Sequence, residues 1–359
     1  MSLASRTPVS IRETDFLQML QFARAIQSLQ YNACYANLLE DELPPTARLI
    51  PDWPAMLMGF DFHLTPHGPR LIEINNNAGG LFVGASSSRE GPWIPQPPHE
   101  ELRGSLEQRL LGMFAPAWHT IVIMDENVRE QFMFPEMEAY ARLLNEHGRR
   151  CWVASPEELA LTDSALSFRG KHVDAIYNRH TDFYLQTPEL AHVRRAFLTG
   201  TVDLNPYPRS YALVGDKRRM VDWWREGWLE QCVSPETVSL VRGLTPETHR
   251  LDEVDAQWAW QHRKSLVFKP AARHGGKGVL LGRSISRKRF ELLNPQETIV
   301  QQFVPPSQVE LEGRRLKLDV RLFMHGSNLI AIAGRVWLGQ VTNFRQPGTG
   351  WVALSVDAE

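Results

Sequence analysis

The chain is poor in cysteine, carries no surplus of either charge, and has no apolar run of membrane-spanning length. Each absence argues against a class of protein. Cys34, Cys151 and Cys232 are odd in number and widely spaced, with no CxxC and no Cys/His ligand spacing. This pattern argues against a disulfide framework or a structural zinc site. The expectation is three reduced, mostly buried thiols in a cytoplasmic protein. The 39 basic and 41 acidic residues are mixed along the sequence, for a net charge of −2. Without a basic stripe there is no case for nucleic acid as a partner. LIAIAGRVWL (329–338) is short and interrupted by Arg335, and MSLASRTPVSIRETDF lacks the apolar core of a secretory signal, so no membrane association is expected.

What remains is a sequence of 359 residues, 43% hydrophobic and 22% charged. That is longer than one core usually supports, so two or three lobes are expected. Residues 13–40 read as a helix, with Phe16, Leu20, Phe22, Ile26 and Leu29 at helical spacing. MLMGFDFHL and RLIEIN, on either side of TPHGP, predict a strand hairpin. Residues 85–104 read as a loop-like connector. HTIVIMDEN, the amphipathic PEMEAYARLLNEHGRR, CWVAS and a strand within 173–185 then give strand, helix, strand. That succession suggests a small α/β lobe with a parallel sheet. From residue 205 the pattern becomes a helix (216–230) followed by strands in SLVFKP, VLLG, TIVQQFV, LKLDVRLFMHG and NLIAIAGRVWL.

LVFKPAARHGGKGVLLG (266–282) ends a strand at Lys269 and carries Gly275, Gly276 and Gly278 before the next strand. Glycines there let backbone N–H groups close on phosphate oxygens. A P-loop would need Ser or Thr where Gly278 stands. A dinucleotide fingerprint would need glycine in place of Leu281, and a helix after it. A plain hairpin with a glycine turn reads equally well. Lys217, in ALVGDKRRMVDWW, opens a helix, where a cation gains nothing from the helix dipole. Taken alone it is a surface lysine. TIVQQFV, ending in prolines, suits either a core strand or an edge whose free backbone groups read an adenine.

LKLDVRLFM puts Asp319 and Arg321 on one strand face, NLIAIAGRVWL returns Arg335, and VTNFRQPGTG adds Asn343 before a glycine turn. Such residues form ordinary cross-strand ion pairs, or equally suit developing phosphoryl charge. LIEINNNAGG (71–80) alternates, with Ile72 and Ile74 to one side and Glu73 and Asn75 to the other. It then runs into asparagines, which strands avoid. A hairpin pivoting near Pro66 and His67 sets Asp61 opposite Glu73, on the face of Asn75. Opposed carboxylates repel unless a cation lies between them, and oxygen ligands of this kind suit Mg²⁺ with phosphates. The plain alternative is a solvated acidic face.

Taken together, GDK (215–217), FKPAARHGGKGV, IVQQFV, LDVRLF, GRVWL, TNFRQPGTG, GFDFHLTPHGP and LIEIN resemble the motifs of the ATP-grasp ligases. DVRLFMHGSNLIAIAGRV followed by TNF looks like the ligases that add glutamate to ribosomal protein tails. The metal hairpin stands near the N-terminus instead of after GTG. That order is similar to eukaryotic-type glutathione synthetase and glutathionylspermidine synthase, and it implies a circular permutation. The fold so implied is of the α/β (α+β) class, a circularly permuted ATP-grasp fold with a small parallel-sheet substrate-side domain. Residues 1–115 would hold a helical segment and the metal hairpin, 116–204 the substrate-side domain, and 205–359 the nucleotide-binding domain.

The implied activity is ATP-dependent carboxylate–amine ligation through an acyl phosphate, releasing ADP. ATP and Mg²⁺ (or Mn²⁺) would be the cofactors, and small-molecule or peptide acids and amines the substrates. Lys217, Lys269, Gly275, Gly276 and Gly278 would hold phosphates, and Gln301, Phe303, Val304 and Asp319 the remainder of the nucleotide site. Asp61, Glu73 and Asn75 would hold the metal. Arg321, Arg335 and Asn343 would stabilise the transferring phosphoryl group. Arg179, in NRHTDF, is set either on a substrate carboxylate or, as the plainer reading, in an ion pair with Asp182. A kinase on the same fold and a non-catalytic nucleotide-binding regulator stay open as alternatives.

Overall fold

A computed structural model describes residues 3–5, 7–82, 93–162, 165–271, 278–340 and 348–358. Its largest sheet grows around the long strand Arg314–His325, which pairs antiparallel with Asn328–Trp337 on one side and Met58–Thr65 on the other. Gly350–Val352 and Gly68–Asn75 lie outermost, and Ser307–Leu311 pairs with the start of the long strand. The expected hairpin is therefore inserted beside strands more than two hundred residues away. Its turn is held by the Thr65 hydroxyl, which accepts from His67 N–H and donates to the Gly68 carbonyl. Gly68 takes φ +97°, where a side chain would be strained. Val9–Arg12 lies parallel to Leu354–Asp357, which brings the first and last strands together.

Helix Glu13–Leu29 buries Phe16, Met19, Leu20, Phe22, Ala23, Ile26 and Leu29. Phe22 meets Phe62 of the sheet edge to face, with centroids 5.8 Å apart. The helical spacing expected through residue 40 is broken after Leu29. Asn32 caps a separate helix, Ala33–Asn37, by accepting from Tyr35 N–H. The helix expected over 216–230 is likewise divided. Arg218–Trp224 is helical, Gly227 adopts φ +72°, and a short 3₁₀ turn follows at Leu229–Gln231.

The smaller α/β part has four parallel strands in the order Asp203–Asn205, Ala175–Asn178, Thr120–Met124, Arg150–Ala154, with helix Phe134–Glu146 packed against it. A third sheet, antiparallel, has the order Thr248–Arg250, Thr298–Gln302, Leu266–Pro270, Leu280–Leu281. It has its own apolar cluster, including Leu251, Phe268, Phe290 and Val300. Thr298–Gln302 is thus paired on both sides and is no edge. The strand that covers it, Thr248–Arg250, is too short to announce itself by alternation.

The expectation of three reduced thiols is overturned. Cys34 and Cys232 form a disulfide with Cα atoms 5.4 Å apart, and Cys151 is the buried free cysteine. The pairing joins positions 198 residues apart, so spacing could not reveal it. It forms because helix Ala33–Asn37 lies against the 229–232 turn, where Asn32 Nδ2 donates to the Cys232 carbonyl. Among the described residues no helix is long and apolar enough to cross a membrane.

Phe62 is fully buried between helix and sheet. Phe62→Ala should lower unfolding free energy by roughly 3–5 kcal/mol in a urea titration, through lost burial and the cavity left behind. A loss below about 1 kcal/mol would contradict its placement in a packed core.

Candidate active site

The hairpin register sets Asp61 opposite Glu73, and the neighbouring pair sets Asp61 opposite Arg321. On the far side of the long strand, Asp319 faces Arg335. The alternation expected for LIEIN is interrupted. Asp61 pairs with Glu73 but Phe62 pairs with Leu71, leaving Ile72 as the extra residue of a bulge. Ile72 therefore turns to the same cleft as Glu73 instead of lying with Ile74 in the core. Its freed carbonyl accepts from Lys269 Nζ at 3.0 Å.

Asp61 is the centre of the site. Arg321 donates to its two oxygens from Nε (2.5 Å) and Nη2 (2.7 Å). Arg335 Nη2 reaches Oδ2 at 2.7 Å, and Asn75 Nδ2 reaches the same oxygen at 3.1 Å. Arg335 also forks onto Asp319, from Nε at 2.6 Å and Nη2 at 2.9 Å. Burial works against an ionised Asp61, yet the charges of Arg321 and Arg335 win and hold its carboxyl below the usual range. Burial lifts Asp319 to about 6, because Arg335 offsets it only in part and the Asp61 charge adds to it. Arg335 is held more firmly protonated than an ordinary arginine: burial opposes its charge, but Asp319 and Asp61 outweigh it.

The antiparallel sheet supplies the facing wall. Lys269 donates to Gln301 Oε1 at 2.7 Å, and Gln301 is itself fixed by donation to Thr248 Oγ1 at 2.8 Å. Burial lowers Lys269 to about 8, with Glu73 opposing and Lys217 adding to the shift. Lys217 Nζ stands 3.2 Å from Glu73 Oε1. His63, lowered to about 4 mainly by burial, is neutral near pH 7 and donates from Nδ1 to the Val304 carbonyl at 3.0 Å. The groups enclose a cleft of about 380 Å³. Its described lining carries Lys217, Lys269, Arg283, Lys317, Arg321 and Arg335 against Asp61, Glu73 and Asp319, six cations to three carboxylates. Such an excess, partly buried, suits a polyanion.

One cleft thus gathers Asp61, Glu73, Asn75, Lys217, Lys269, Gln301, Phe303, Val304, Asp319, Arg321 and Arg335. Gly278 adopts φ +81° beside that wall, whereas Gly275, Gly276 and Asn343 lie outside the described residues. Two of the backbone groups around the expected base site are already engaged. Phe303 N–H donates to the Ser265 carbonyl, and the Val304 carbonyl takes the His63 proton. Arg179 lies below the cleft, where Nη1 donates to the carbonyls of Asn77 (2.8 Å) and Ala78 (2.9 Å). The expected partner Asp182 turns its carboxylate to the N–H groups of Tyr184 and Thr187 instead. His63, Lys317 and Trp337 also line the cleft and were missed. Each stands two residues from a recognised position on the same strand face, so alternation carried the signal. Arg283 and Thr248 had no such signal.

The donor chemistry suits a hard cation, though unequally. Asp61 Oδ2 already accepts three N–H bonds. Glu73 is the more open carboxylate, with 22% of its side chain exposed. Glu73 and the Asn75 amide fit Mg²⁺ whose remaining ligands are water and phosphate, while Asp61 would have to serve from Oδ1, which already accepts from Arg321 Nε. Among the described residues, no group of three or more His, Cys, Asp or Glu side chains could hold a metal unaided.

Removing the Asp61 charge strands the buried Arg321 guanidinium and leaves Arg335 with Asp319 alone. Asp61→Asn should therefore destabilise the fold by about 3 kcal/mol or more in urea denaturation, although the amide is nearly isosteric. A change under about 1 kcal/mol would mean that the arginines do not depend on this carboxylate.

No family model matches the sequence, and no curated protein matches it. Solved structures do. A protein from Methylobacillus flagellatus KT, provisionally named a gamma-glutamylcysteine synthetase, matches over 93% of this chain and 85% of that one, with TM-score 0.51 and 13% identity. The ATP-grasp ligase PsnB matches less well. In complex with its minimal precursor it covers 65% of this chain and 75% of its own, with TM-score 0.38 and 15% identity. With precursor peptide PsnA2 and AMPPNP the values are 68% and 90%, TM-score 0.34 and 14% identity. Those two likenesses are too slight to carry an argument. At 13% identity the first establishes a common fold and no more, and the mixed helices and sheets of that fold agree with the expected α/β (α+β) class.

Proposed function

We propose that this chain is an ATP-dependent carboxylate–amine ligase. The observation that carries the reading is the single cleft in which lysines 217 and 269 face the Asp61–Arg321–Arg335–Asp319 network. A substrate carboxylate oxygen attacks the γ-phosphorus of ATP, the bond to the β-phosphate oxygen breaks, and ADP leaves. The amine then attacks the acyl carbon, an amide bond forms, phosphate departs with the bonding pair, and the amine loses its proton.

Lys217 and Lys269 neutralise phosphate oxygens, with the glycines at 275, 276 and 278 covering them. Arg321, Arg335 and Asn343 meet the charge that spreads over the transferring group. Preorganised guanidinium groups suit this, because Asp61 and Asp319 already hold their planes in place. Glu73 and Asn75 would hold Mg²⁺, which supplies charge neutralisation between the phosphates. Ile72, Val267, Leu281 and Trp337 add apolar lining to the cleft that would suit the base. The Met58–Asn75 region near the N-terminus, joined to the strands after residue 314, supports a circular permutation of the ATP-grasp order.

ADP release should appear on challenge with pools of amino acids, peptides and polyamines, and should fall about 100-fold or more in Glu73→Gln. Turnover that survives Glu73→Gln combined with Asn75→Ala would overturn the metal assignment. Mass spectrometry of the product decides the chemistry: an amide supports the ligase, and a stable phosphorylated product points to a kinase.

Lys269 gives a pH dependence with a definite sign. Its lowered value of about 8 means that the charge is present below pH 8 and lost as pH rises through it. kcat/KM for ATP should accordingly decline above about pH 8, and Lys269→Arg should shift that decline well upward because guanidinium stays protonated. An unchanged alkaline limb in the arginine variant would remove Lys269 from phosphate binding.

A further inference from the structure

Residues 76–82 leave the cleft strand and pass beneath it, held by two charges that the cleft itself does not contain. Arg179 donates to the carbonyls of Asn77 and Ala78, and Asn77 Nδ2 donates back to the Arg179 carbonyl at 2.9 Å. Glu136 accepts from the N–H groups of Gly80 (2.9 Å) and Phe82 (3.2 Å). Both side chains are buried, and both belong to the parallel-sheet part of the molecule. Arg179 follows strand Ala175–Asn178, and Glu136 sits in the first turn of helix Phe134–Glu146.

The two head groups converge on one glycine. A Cβ at Gly79 would lie 2.7 Å from Arg179 Nη2 and 2.8 Å from Glu136 Oε2. Gly80 follows at φ +113°, where a Cβ would lie 1.9 Å from the Trp351 ring. The path between these charges and the indole admits backbone alone.

The opposite side of the same segment touches the cleft. The Gly79 carbonyl accepts from Arg321 Nη1 at 3.3 Å. Ala78 packs against Gly59, where a Cβ would meet Ala78 Cβ at 2.7 Å and Arg321 Nε at 3.3 Å. Arg321 is therefore located from two directions, by Asp61 along the sheet and by the clamped segment below. An apolar contact in place of Arg179 and Glu136 would pack the segment but would not fix its peptide planes. Burying charges is costly compared with apolar packing, and here each charge is spent on backbone groups of the segment, so a role in geometry accounts for them better.

We propose that Arg179 and Glu136 are positioning residues for phosphoryl transfer, acting on Arg321 through residues 77–82. This rests on the reading of the cleft as a phosphoryl-transfer site. The test is a double-mutant cycle on ATP turnover. Arg179→Met and Glu136→Gln are each made in the natural sequence and in the Arg321→Met background, with ATP·Mg²⁺ affinity measured by calorimetry and folding by circular dichroism. Each should lower kcat about 30-fold or more with KM for ATP changed less than about 3-fold, and should add less than about 3-fold when Arg321 is already absent. A purely structural defect would multiply to the same extent in both backgrounds, and that outcome overturns the proposal. So does full activity in a folded Glu136→Gln protein. If Arg179→Met does not fold, the isosteric Glu136→Gln carries the cycle alone. Absence of ATP binding or turnover in the natural protein would instead refute the ligase reading, which keeps the two failures apart.

Discussion

The carboxylate of Asp61 is the point on which the site depends. Side chains of four strands meet there, and the guanidinium groups of Arg321 and Arg335 arrive from positions 260 and 274 residues later in the chain. Taking these charges out of water is expensive, and their mutual attraction only offsets that penalty when the hydrogen bonds are well formed. Here they are: Asp61 accepts from two arginines and an asparagine, and Arg335 continues to Asp319. A stable sheet could have been made more simply with apolar side chains. What the ionic arrangement adds is a pair of cations fixed in direction before any ligand arrives.

The rest of the cleft follows from that arrangement. Fixed arginines on one wall leave the opposite wall to supply charge that can adapt, and lysines do so as mobile point charges. Burial lowers Lys269 to about 8, which leaves it a cation at neutral pH, while Lys217 leans on Glu73, the most accessible acid of the cleft. With twice as many cations as carboxylates, the cleft is electrostatically incomplete by itself. A polyphosphate with its own Mg²⁺ would complete it, since Glu73 and the Asn75 amide are few for a metal bound alone but enough for one that brings phosphate oxygens.

The parts of this site that were legible in the sequence are those that strand alternation encodes. Asp319 with Arg321, Arg335 on the return, and Asp61 opposite Glu73 all follow from a period of two and a turn at Pro66–His67. The same rule puts His63, Lys317 and Trp337 on the cleft face, although they were missed. Where the period fails, the sequence is silent. The bulge at Ile72 moves one apolar side chain into the cleft and frees the carbonyl that Lys269 binds, yet nothing in LIEIN marks it. Proximity in sequence also misled: Asp182 is three residues from Arg179, but both groups find backbone partners. The Cys34–Cys232 pairing was hidden for the converse reason, since its partners are brought together only by tertiary packing.

The three asparagines at the end of the cleft strand show how one local need answers several long-range ones. When a strand ends, its backbone loses the regular ladder and its buried polar groups need other partners. An amide side chain offers both a donor and an acceptor close to the main chain, so asparagine can replace missing ladder bonds in whichever direction the chain turns. Asn75 donates to Asp61, Asn76 accepts from the Ser210 hydroxyl, and Asn77 donates to the Arg179 carbonyl. In three residues the chain is tied to the largest sheet, to the segment leading to Lys217, and to the parallel-sheet part of the molecule. A composition that argues against a strand is, at this place, the means by which the strand's end is fixed to everything around it.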